Sequence, residues 1–207
     1  MNIVCLDMEG VIVPEIWIAF SEVTGIPELR RTTRDEPDYD KLMKYRIDIL
    51  RERGLKLDKI QETIARIEPL EGAKEFLDTL RSEMQVIILS DTFEEFGMPL
   101  MKKFGYPPLF CNSLNIDDDG FITGINMRCR DSKLTTVKAL QSIGYDTIAS
   151  GDSYNDLDMI YASKAGFLFR SPDRIKAENP SLRAFEDYDE LIGAIREACL
   201  LPSPVRR

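Results

Sequence analysis

The amino-acid sequence predicts an α/β protein with a doubly wound parallel sheet and a small helical cap domain inserted after the first strand. Short apolar runs alternate with stretches of helical periodicity, the usual pattern of a parallel sheet covered on both faces. The strand pattern is absent between Val13 and about Pro69, and 207 residues suffice for a core and a small second domain. We therefore expect a core made of residues 1–12 and 70–207 and a cap made of residues 13–69.

Four short runs are predicted to be buried parallel strands, because each is largely apolar or β-branched. In chain order they are Ile3 to Leu6, Val86 to Leu89, Thr147 to Ala149 and Gly166 to Phe169. Apolar residues at helical spacing predict helices in the intervening and following stretches. These are Ala73 to Arg81, Leu134 to Ile143, which Gly144 ends, and Tyr188 to Leu200.

The inserted segment is predicted to be helical and to lie over the carboxyl edge of the sheet. Its helices are interrupted by Gly25-Ile26-Pro27, by the charged stretch from Arg30 to Asp40, and by Gly54. A segment of this length is too long for a simple loop, so we expect an ordered subdomain.

One acidic loop resembles the start of an EF-hand calcium site. It runs from Asn115 to Gly120, but the twelfth position is Asn126 and not the bidentate glutamate of that motif. Asp119-Gly120 lies between two short β-type runs, Leu114-Asn115-Ile116 and Phe121-Ile122-Thr123. We therefore predict a β-hairpin turn there.

The composition excludes several classes of protein. Fractions of 43% hydrophobic and 30% charged residues are typical of a soluble globular protein, and no apolar run approaches the length of a membrane span. Met1-Asn2 leads directly into an apolar strand without the basic region of a secretory leader, so we expect a cytoplasmic protein. The net charge of −9 argues against a nucleic-acid surface, since basic residues form only short groups such as Arg30-Arg31 and the tail Val205-Arg206-Arg207.

The cysteine and histidine counts exclude further kinds of site. The cysteines form no C-x-x-C pair, so we expect reduced, mostly buried thiols and no zinc or redox site. They are Cys5, Cys111, Cys129 and Cys199. The chain has no histidine, which excludes Ser-His-Asp and Cys-His nucleophile systems and H-E-x-x-H zinc sites. Acid–base chemistry must therefore fall to carboxylates, lysine or a metal-bound water.

Polar groups follow the predicted strands, at the sheet edge where open α/β folds bind ligands. Asp7 and Glu9 follow the first strand, Ser90 the second, Lys133 begins a helix, and Gly151-Asp152-Ser153-Tyr154-Asn155-Asp156 follows the third strand. These clusters, in this order, resemble motifs one to four of the haloacid dehalogenase superfamily of aspartate-nucleophile phosphatases. The resemblance spans nearly the whole chain.

The resemblance and the residue types imply a phosphoryl-transfer mechanism. Asp7 would attack phosphorus and become an aspartyl phosphate. Two anions do not approach each other unaided, so Mg²⁺ would bridge the Asp7 carboxylate and the phosphate, with Asp152 as a second carboxylate ligand. By family resemblance the backbone carbonyl of Glu9 is a third ligand. The Glu9 side chain would act as general acid and then general base, which needs a carboxyl pKa raised towards neutrality.

The phosphate and substrate side of the site is assigned to Ser90, Asp91, Lys133 and Asn155. Ser90 can donate a hydrogen bond to a phosphate oxygen, and Lys133 can neutralise charge on the same group. Asp156 would orient Lys133 or the metal-bound waters. Taken alone, Lys133 is also compatible with a solvated residue in the first turn of a helix, and Ser90 with a residue that simply ends a strand.

Substrate identity is expected to come from the cap. On the candidate helix from about Pro37 to Arg53, Arg46 lies within an apolar stripe. The stripe consists of Leu42, Met43, Ile47, Ile49 and Leu50. An unpaired buried guanidinium is unfavourable, so Arg46 either meets an anionic ligand or forms a structural ion pair. The pattern itself leaves both interpretations open.

A narrower resemblance concerns Arg46 together with Glu15, which soon follows motif one. The two resemble the cap glutamate and arginine with which phosphoserine phosphatases hold the ammonium and carboxylate groups of their substrate. Opposite charges on two sides of a small pocket suit a zwitterionic amino-acid phosphate. The resemblance therefore implies phosphoserine as the substrate.

Departures from the usual phosphoserine phosphatase motifs narrow the resemblance further. Those enzymes usually carry D-x-D-S-T, Ser-Gly-Gly and Gly-Asp-Gly-Ala, whereas this chain has Asp7-Met8-Glu9-Gly10-Val11, Ser90-Asp91-Thr92 and Gly151-Asp152-Ser153-Tyr154. The combination resembles the bacterial phosphoserine–homoserine phosphotransferases, which implies homoserine as an acceptor beside water. No G-x-x-x-x-G-K-[ST] loop is present, so we expect a phosphomonoester donor.

Other functions remain compatible with the sequence. A phosphatase of this superfamily for another small phosphomonoester, or a non-catalytic phosphate-binding protein, would keep the same fold. A phospho-receiver module shares the sheet, an aspartate and a lysine, but needs neither a cap of this size nor a second carboxylate at Glu9. The sequence leaves the oligomeric state and the physiological acceptor open.

Overall fold

The computed structural model describes residues 1–32, 35–36 and 38–202. Their strands are β1 Asn2–Leu6, β2 Gln85–Phe93, β3 Leu109–Ile116, β4 Ile122–Asn126, β5 Asp146–Gly151, β6 Ala165–Phe169 and β7 Arg183–Phe185. They form one sheet in the spatial order β4-β3-β2-β1-β5-β6-β7, and every neighbouring pair except β3–β4 is parallel. The predicted doubly wound α/β core is therefore confirmed, with β1 at its centre.

The helices of the described residues surround this sheet and fill the segment after β1. They are α1 Ile16–Thr24, α2 Tyr39–Glu52, α3 Leu57–Ile64, α4 Ala73–Glu83, α5 Glu94–Met101, α6 Ser132–Ser142, α7 Leu157–Ala162, α8 Asp173–Glu178 and α9 Tyr188–Leu200. The helices predicted in the core correspond to α4, α6 and α9, with bounds that differ by at most two residues. The helix expected from about Pro37 corresponds to α2, although Pro37 itself lies outside the described residues.

Both faces of the sheet are apolar, because alternate residues of each strand point to opposite sides. Val4 and Leu6 of β1 belong to the core that includes α4 and α9, whereas Ile3 and Cys5 pack into the core formed with α6 and α7. Burial on both sides explains why the strands read as continuous apolar runs. It also leaves only the strand ends to carry polar groups into solvent.

The predicted hairpin turn is confirmed, and the hairpin belongs to the main sheet through the β2–β3 pairing. Asp117 stabilises the turn: its backbone N–H donates to the carbonyl of Phe121 at 3.0 Å, and its Oδ1 accepts the N–H of Phe121 at 2.8 Å. Its Oδ2 pairs with Arg51 of α2 at 2.5 Å. Both carboxylate oxygens of Asp117 are engaged by protein donors, which agrees with the exclusion of an EF-hand.

The described part of the segment between β1 and α4 is helical. α1 is followed by a 3₁₀ turn at Pro27–Arg30, then by α2 and α3. Two hydrogen bonds tie α3 to the core: Gln61 Nε2 donates to the Glu95 carbonyl of α5 at 2.9 Å, and the Leu57 N–H donates to the Gly120 carbonyl of the hairpin at 2.8 Å. The assignment of residues 13–69 as a separate cap domain stays a prediction.

Two expectations from composition concern the thiols and the membrane. All four cysteines are free thiols, as expected, but only Cys5 is buried and the other three are partly exposed. The expectation of mostly buried thiols was therefore too strong, since residues in the β3–β4 region and in α9 lie near the surface. In the described ranges, the helices lack the combination of length and apolar character that a membrane span requires.

Tyr188 connects α9 to the loop after β1, and its hydroxyl contributes to stability. The hydroxyl donates to the Val11 carbonyl at 2.6 Å, and Val11 is fully buried at 0% exposure. Tyr188→Phe keeps the ring but leaves this carbonyl without its donor, so we expect the free energy of unfolding to fall by about 1–2 kcal/mol. Urea denaturation measures the change. The matched control is Tyr161→Phe, whose hydroxyl bonds Asn179 from a ring that is 53% exposed; an equal loss in both variants would contradict the prediction.

Candidate active site

Asp7 is held at the tip of the central strand by backbone pairing. Strands β1 and β5 run in register with Leu6 opposite Ser150, and the Asp7 N–H extends the ladder by donating to the Ser150 carbonyl at 2.9 Å. The Asp7 residue is only 4% exposed. Two parallel strands therefore fix the position of the candidate nucleophile independently of its side-chain contacts.

Lys133 is the central cation of the site. It lies in the first turn of α6 and is 3% exposed. Its Nζ donates to Oδ1 of Asp7 at 2.8 Å and to Oδ1 of Asp156 at 2.6 Å, and lies 3.9 Å from Oδ2 of Asp91. Burial alone would lower the pKa of Lys133, but the charges of Asp156, Asp7 and Asp91 raise it well above its usual value. The alternative of a solvated lysine is therefore wrong.

Asp156 organises the loop after β5. Its Oδ2 accepts the backbone N–H groups of Asp152 and Ser153 at 3.1 and 3.0 Å and the Ser153 hydroxyl at 3.0 Å, while its Oδ1 accepts Lys133. A Cβ on Gly151 would lie 2.3 Å from the Asp156 Cγ, so only glycine permits this approach. The geometry supports the expectation that Asp156 orients Lys133.

Three carboxylates form a candidate metal centre. One oxygen from each of Asp7, Asp152 and Asp156 lies within 4.8 Å of the others. A Cβ on Gly10, whose φ is +76°, would lie 2.5 Å from Oδ2 of Asp152, so glycine allows the loop after β1 to approach this carboxylate. Burial and the charges of Asp156 and Glu15 raise the pKa of Asp152 to about 7, and burial with the charge of Asp156 raises the pKa of Asp7 well above its usual value. Carboxylates that repel one another around a single lysine fit a divalent cation, which would neutralise them.

The Glu9 side chain is anchored at the beginning of α1. Its Oε2 accepts the backbone N–H of Ile16 at 2.8 Å, one of the donors that a helix leaves unpaired at its N-terminus. Burial, and then the charge of Glu15, raises the pKa of Glu9 to about 8. A carboxyl group with such a pKa holds its proton at neutral pH and can release it, as a general acid and base requires.

Asp91 links the loops that surround Lys133. Its Oδ1 accepts the hydroxyl of Ser132 at 2.9 Å, and its Oδ2 accepts Nδ2 of Asn155 at 2.8 Å. The structure therefore brings Asp91, Asn155 and Lys133 together, as expected from the order of the motifs. Ser132 was not predicted from the sequence, where its only signal is its position directly before Lys133.

Ser90 lies inside β2, which continues to Phe93, so the expectation that Ser90 follows the second strand is wrong; the residue is 2% exposed. Its Oγ accepts the backbone N–H of Thr92 at 3.2 Å. Because a hydroxyl both accepts and donates, this bond leaves the hydrogen of Ser90 available for a ligand oxygen.

Arg46 is a buried cation, and no carboxylate of the described residues pairs with it. It is 5% exposed, its Nη2 donates to the Arg31 carbonyl at 2.7 Å, and its Nη1 lies 3.6 Å from the sulfur of Met43. Its Nε has no hydrogen-bond partner among the described residues. The ion pairs found in the described ranges do not include Arg46, so the alternative of a structural ion pair is not supported there.

Glu9, Glu15 and Arg46 lie in one neighbourhood. Burial lowers the pKa of Arg46 to about 10, against the opposing influence of Tyr39, Glu9 and Glu15, so the guanidinium stays charged at neutral pH. Tyr39 is partly buried at the start of α2, and burial raises the pKa of its phenol, with further contributions from the charges of Asp91 and Glu9. The side chains predicted to recognise the substrate thus face the same region as the candidate general acid.

Several known proteins resemble this chain in sequence and in fold. The model of the haloacid dehalogenase-like hydrolase family matches residues 1–163. Phosphoserine phosphatase ThrH of Pseudomonas aeruginosa is 54% identical over 191 residues, which cover 92% of this chain and 93% of that protein. Phosphoserine phosphatase of Pseudomonas syringae pv. tomato is 52% identical over 191 residues, covering 92% of this chain and 81% of that protein. A solved phosphoserine phosphatase in its apo form matches with a TM-score of 0.74 over 93% of this chain and 98% of its own, and at 20% identity it shows the fold alone.

Proposed function

Because this chain belongs to the haloacid dehalogenase-like hydrolases, we propose that it is a Mg²⁺-dependent phosphatase and phosphotransferase acting on O-phosphoserine. It would release serine and phosphate and also transfer the phosphoryl group to homoserine. The observation that carries the proposal is the buried lysine at the tip of β1, where Lys133 joins Asp7 to Asp156. The two Pseudomonas relatives, phosphoserine phosphatases that are 54% and 52% identical to this chain, support phosphoserine as the substrate.

Asp7 is the nucleophile of the proposed reaction. Lys133 holds Oδ1 of Asp7, so we assign Oδ2 to the attack on phosphorus, which forms an aspartyl phosphate as the bond to the serine oxygen breaks. Lys133 and the Ser90 hydroxyl would stabilise the charge on the phosphate oxygens. Asp91 accepts hydrogen bonds through both carboxylate oxygens, so its part would be to hold Asn155 at the phosphate side and not to touch an anion.

Of the three carboxylates in the candidate metal centre, those of Asp7 and Asp152 would hold Mg²⁺, together with the backbone carbonyl of Glu9. When bound, the cation supplies the positive charge that lets a carboxylate and a phosphate approach each other. Asp156 has both oxygens on protein donors, so we assign it to positioning Lys133 and not to the metal.

Glu9 is the proposed general acid and base. Its raised pKa of about 8 keeps it protonated before the reaction, so it can give its proton to the departing serine oxygen. The resulting carboxylate would then take a proton from water or from the homoserine hydroxyl as that oxygen attacks the aspartyl phosphate. The proton returns to Glu9, and the cycle closes.

Glu15 and Arg46 are proposed to recognise the amino-acid part of the substrate. The carboxylate of Glu15 would bind the ammonium group, and the guanidinium of Arg46 would bind the carboxylate. The Nε of Arg46 is buried and has no hydrogen-bond partner among the described residues, so a substrate carboxylate would satisfy an otherwise unfavourable group. Both residues belong to the predicted cap, which residues 13–69 would form.

The test is an incubation of the purified protein with Mg²⁺ and O-phosphoserine, with and without homoserine. We expect released phosphate in both reactions and phosphohomoserine only when homoserine is present. Phosphate without phosphohomoserine would reduce the proposal to a phosphatase. No reaction with O-phosphoserine but turnover of another small phosphomonoester would favour a different substrate, and no turnover at all would favour a non-catalytic phosphate-binding protein.

The length of the Glu9 side chain is expected to set the partition between water and alcohol acceptors. Glu9→Asp shortens the side chain by one methylene, withdraws the carboxylate from the Ile16 N–H that it meets at 2.8 Å, and leaves room for water. We expect the ratio of hydrolysis to transfer to rise by about threefold or more, measured as phosphate against phosphohomoserine at saturating homoserine. Glu9→Gln is the control, because it keeps the length but cannot exchange a proton and should lower both products together. An unchanged ratio of hydrolysis to transfer in Glu9→Asp would contradict this prediction.

A further inference from the structure

Trp17 is the only tryptophan of the chain, and it supports the guanidinium of Arg46. The Cζ of Arg46 lies 4.4 Å from the centre of the indole ring, within the range of a cation stacked on an aromatic face. Trp17 belongs to α1 and Arg46 to α2. Since a planar guanidinium stacks flat on an aromatic ring, a partner on a second helix restricts the rotation of the Arg46 head group.

The indole ring is itself fixed by two buried phenylalanines. It meets Phe96 edge-on at a centroid distance of 5.4 Å and Phe20 at 6.4 Å. Phe96 lies in α5 of the core, and both phenylalanine rings are at most 2% exposed. The position of Arg46 is therefore linked through Trp17 to an element packed on the sheet.

Within the part of the chain that the structure describes, the hydrogen-bond partners of Arg46 are uncharged. They are the Arg31 carbonyl and the Met43 sulfur, and neither neutralises the guanidinium. The acidic groups whose charges act on Arg46 are Glu9 and Glu15, and neither forms an ion pair with it within the described residues. A buried cation that is held by an aromatic face and keeps an unpartnered N–H is arranged to receive an anion.

We propose that Trp17 is a specificity-determining positioning residue. Its indole face would orient Arg46 towards the carboxylate of an amino-acid phosphate, and so set the preference for phosphomonoesters that carry a carboxylate. This inference rests on the proposed function, because it concerns the same substrate site. A leucine in place of Trp17 would remove the face, whereas a phenylalanine would keep a smaller one.

The kinetic test compares Trp17→Leu and Trp17→Phe with the parent protein on O-phosphoserine and on p-nitrophenyl phosphate, which has no carboxylate. For Trp17→Leu we expect about a tenfold higher KM for O-phosphoserine with kcat within about twofold, and kcat/KM for p-nitrophenyl phosphate within about twofold. Trp17→Phe should recover most of the loss, which a failure to fold would not allow. Equal losses of kcat/KM on both substrates would overturn the inference, because they would indicate that Trp17 only stabilises the fold.

A double variant tests whether Trp17 acts through Arg46. Trp17→Leu combined with Arg46→Ala should lose no more kcat/KM for O-phosphoserine than Arg46→Ala alone, within about twofold. Independent, multiplying losses would overturn the inference. Circular dichroism and the thermal transition of each variant show whether the chain is folded.

A binding experiment separates this inference from the proposed function. In the Asp7→Asn background, O-phosphoserine and O-phosphoethanolamine, which lacks only the carboxylate, are titrated by calorimetry. Adding Trp17→Leu should weaken binding of O-phosphoserine about tenfold and change that of O-phosphoethanolamine by less than about twofold. If the parent does not hydrolyse O-phosphoserine but this selective loss is found, the proposed function fails and the inference stands. If hydrolysis occurs and both ligands weaken equally, or if O-phosphoserine does not bind, the inference fails.

Discussion

Replacing Lys133 with methionine is expected to abolish activity and to lower the free energy of unfolding by about 3–5 kcal/mol. The ammonium group joins Asp7 to Asp156 at 2.8 and 2.6 Å in a site where Lys133 is 3% exposed. Methionine fills similar space without the charge, so both carboxylates would stay buried without the cation that joins them. The loss of charge stabilisation on the phosphate should lower kcat by at least about a thousandfold.

Denaturant unfolding and phosphate release at saturating Mg²⁺ measure the two effects of Lys133→Met. The matched control is Lys138→Met, which removes an exposed lysine of the same helix. It should change the free energy of unfolding by less than about 0.5 kcal/mol and leave activity unchanged. A Lys133→Met protein as stable as the parent would show that the buried lysine does not hold the carboxylates together.

Asp7→Asn is expected to abolish phosphoryl transfer without lowering stability. An amide cannot form the acyl phosphate, so turnover should fall by at least about ten-thousandfold. Burial and the charge of Asp156 raise the pKa of Asp7 above its usual value, so that without a metal the ionised Asp7 is less favourable in the folded protein than in the unfolded chain. Asparagine keeps an oxygen for Lys133 and removes one of the repelling charges, so we expect a free energy of unfolding equal to the parent or about 1 kcal/mol higher.

The prediction for Asp7→Asn is checked by thermal unfolding with and without Mg²⁺, together with phosphate release. Mg²⁺ should raise the Tm of the parent more than that of the variant, since the variant lacks one carboxylate ligand. Asp158→Asn, at an exposed position of α7, is the control and should keep activity and Tm. Residual turnover near the parent rate, or a marked loss of stability, would contradict the assignment of Asp7.

The opposite expected effects of these two variants on stability have one electrostatic cause. In the described site three carboxylates, those of Asp7, Asp152 and Asp156, lie together beside the single ammonium group of Lys133. Removing the cation increases the imbalance, whereas removing one carboxylate reduces it. Under the proposed function, a bound cation would offset this repulsion, and its absence would lower the stability of the protein.

Much of the core could be predicted from sequence because its signals are local. The run Ile3 to Leu6 predicted a strand that ends at Asp7, and the structure has β1 at Asn2–Leu6. The Asp119-Gly120 turn predicted the hairpin, since few residue types suit such a turn. The short strand β7 was not predicted, because it has three residues, of which two are exposed, and carries no apolar pattern. The parallel pairing of β2 with β3 was not predicted either.

The part of the candidate site that could be predicted from sequence consists of residues that lie at or near the ends of strands. The end of β1, the last residues of β2 and the first turn of α6 meet at one edge of the sheet. This brings together Asp7, Asp91 and Lys133. The contacts of Asp91 with Ser132 and Asn155 were not predictable, since they depend on side-chain directions in three separate loops. The partner of Arg46 was not predictable either, because the apolar stripe of its helix is compatible with an anionic ligand and with a structural ion pair.

The sequence by itself determined which groups stand at the ends of the central strands, because apolar periodicity and turn chemistry are encoded within a few neighbouring residues. It also determined the family, through four short motifs in order. Only the tertiary structure decided what those groups touch: Lys133 meets Asp7 across 126 positions of the chain, and Arg46 stacks on Trp17 of another helix. The physical reason is that burial, charge compensation and the orientation of a guanidinium depend on atoms that only folding brings together.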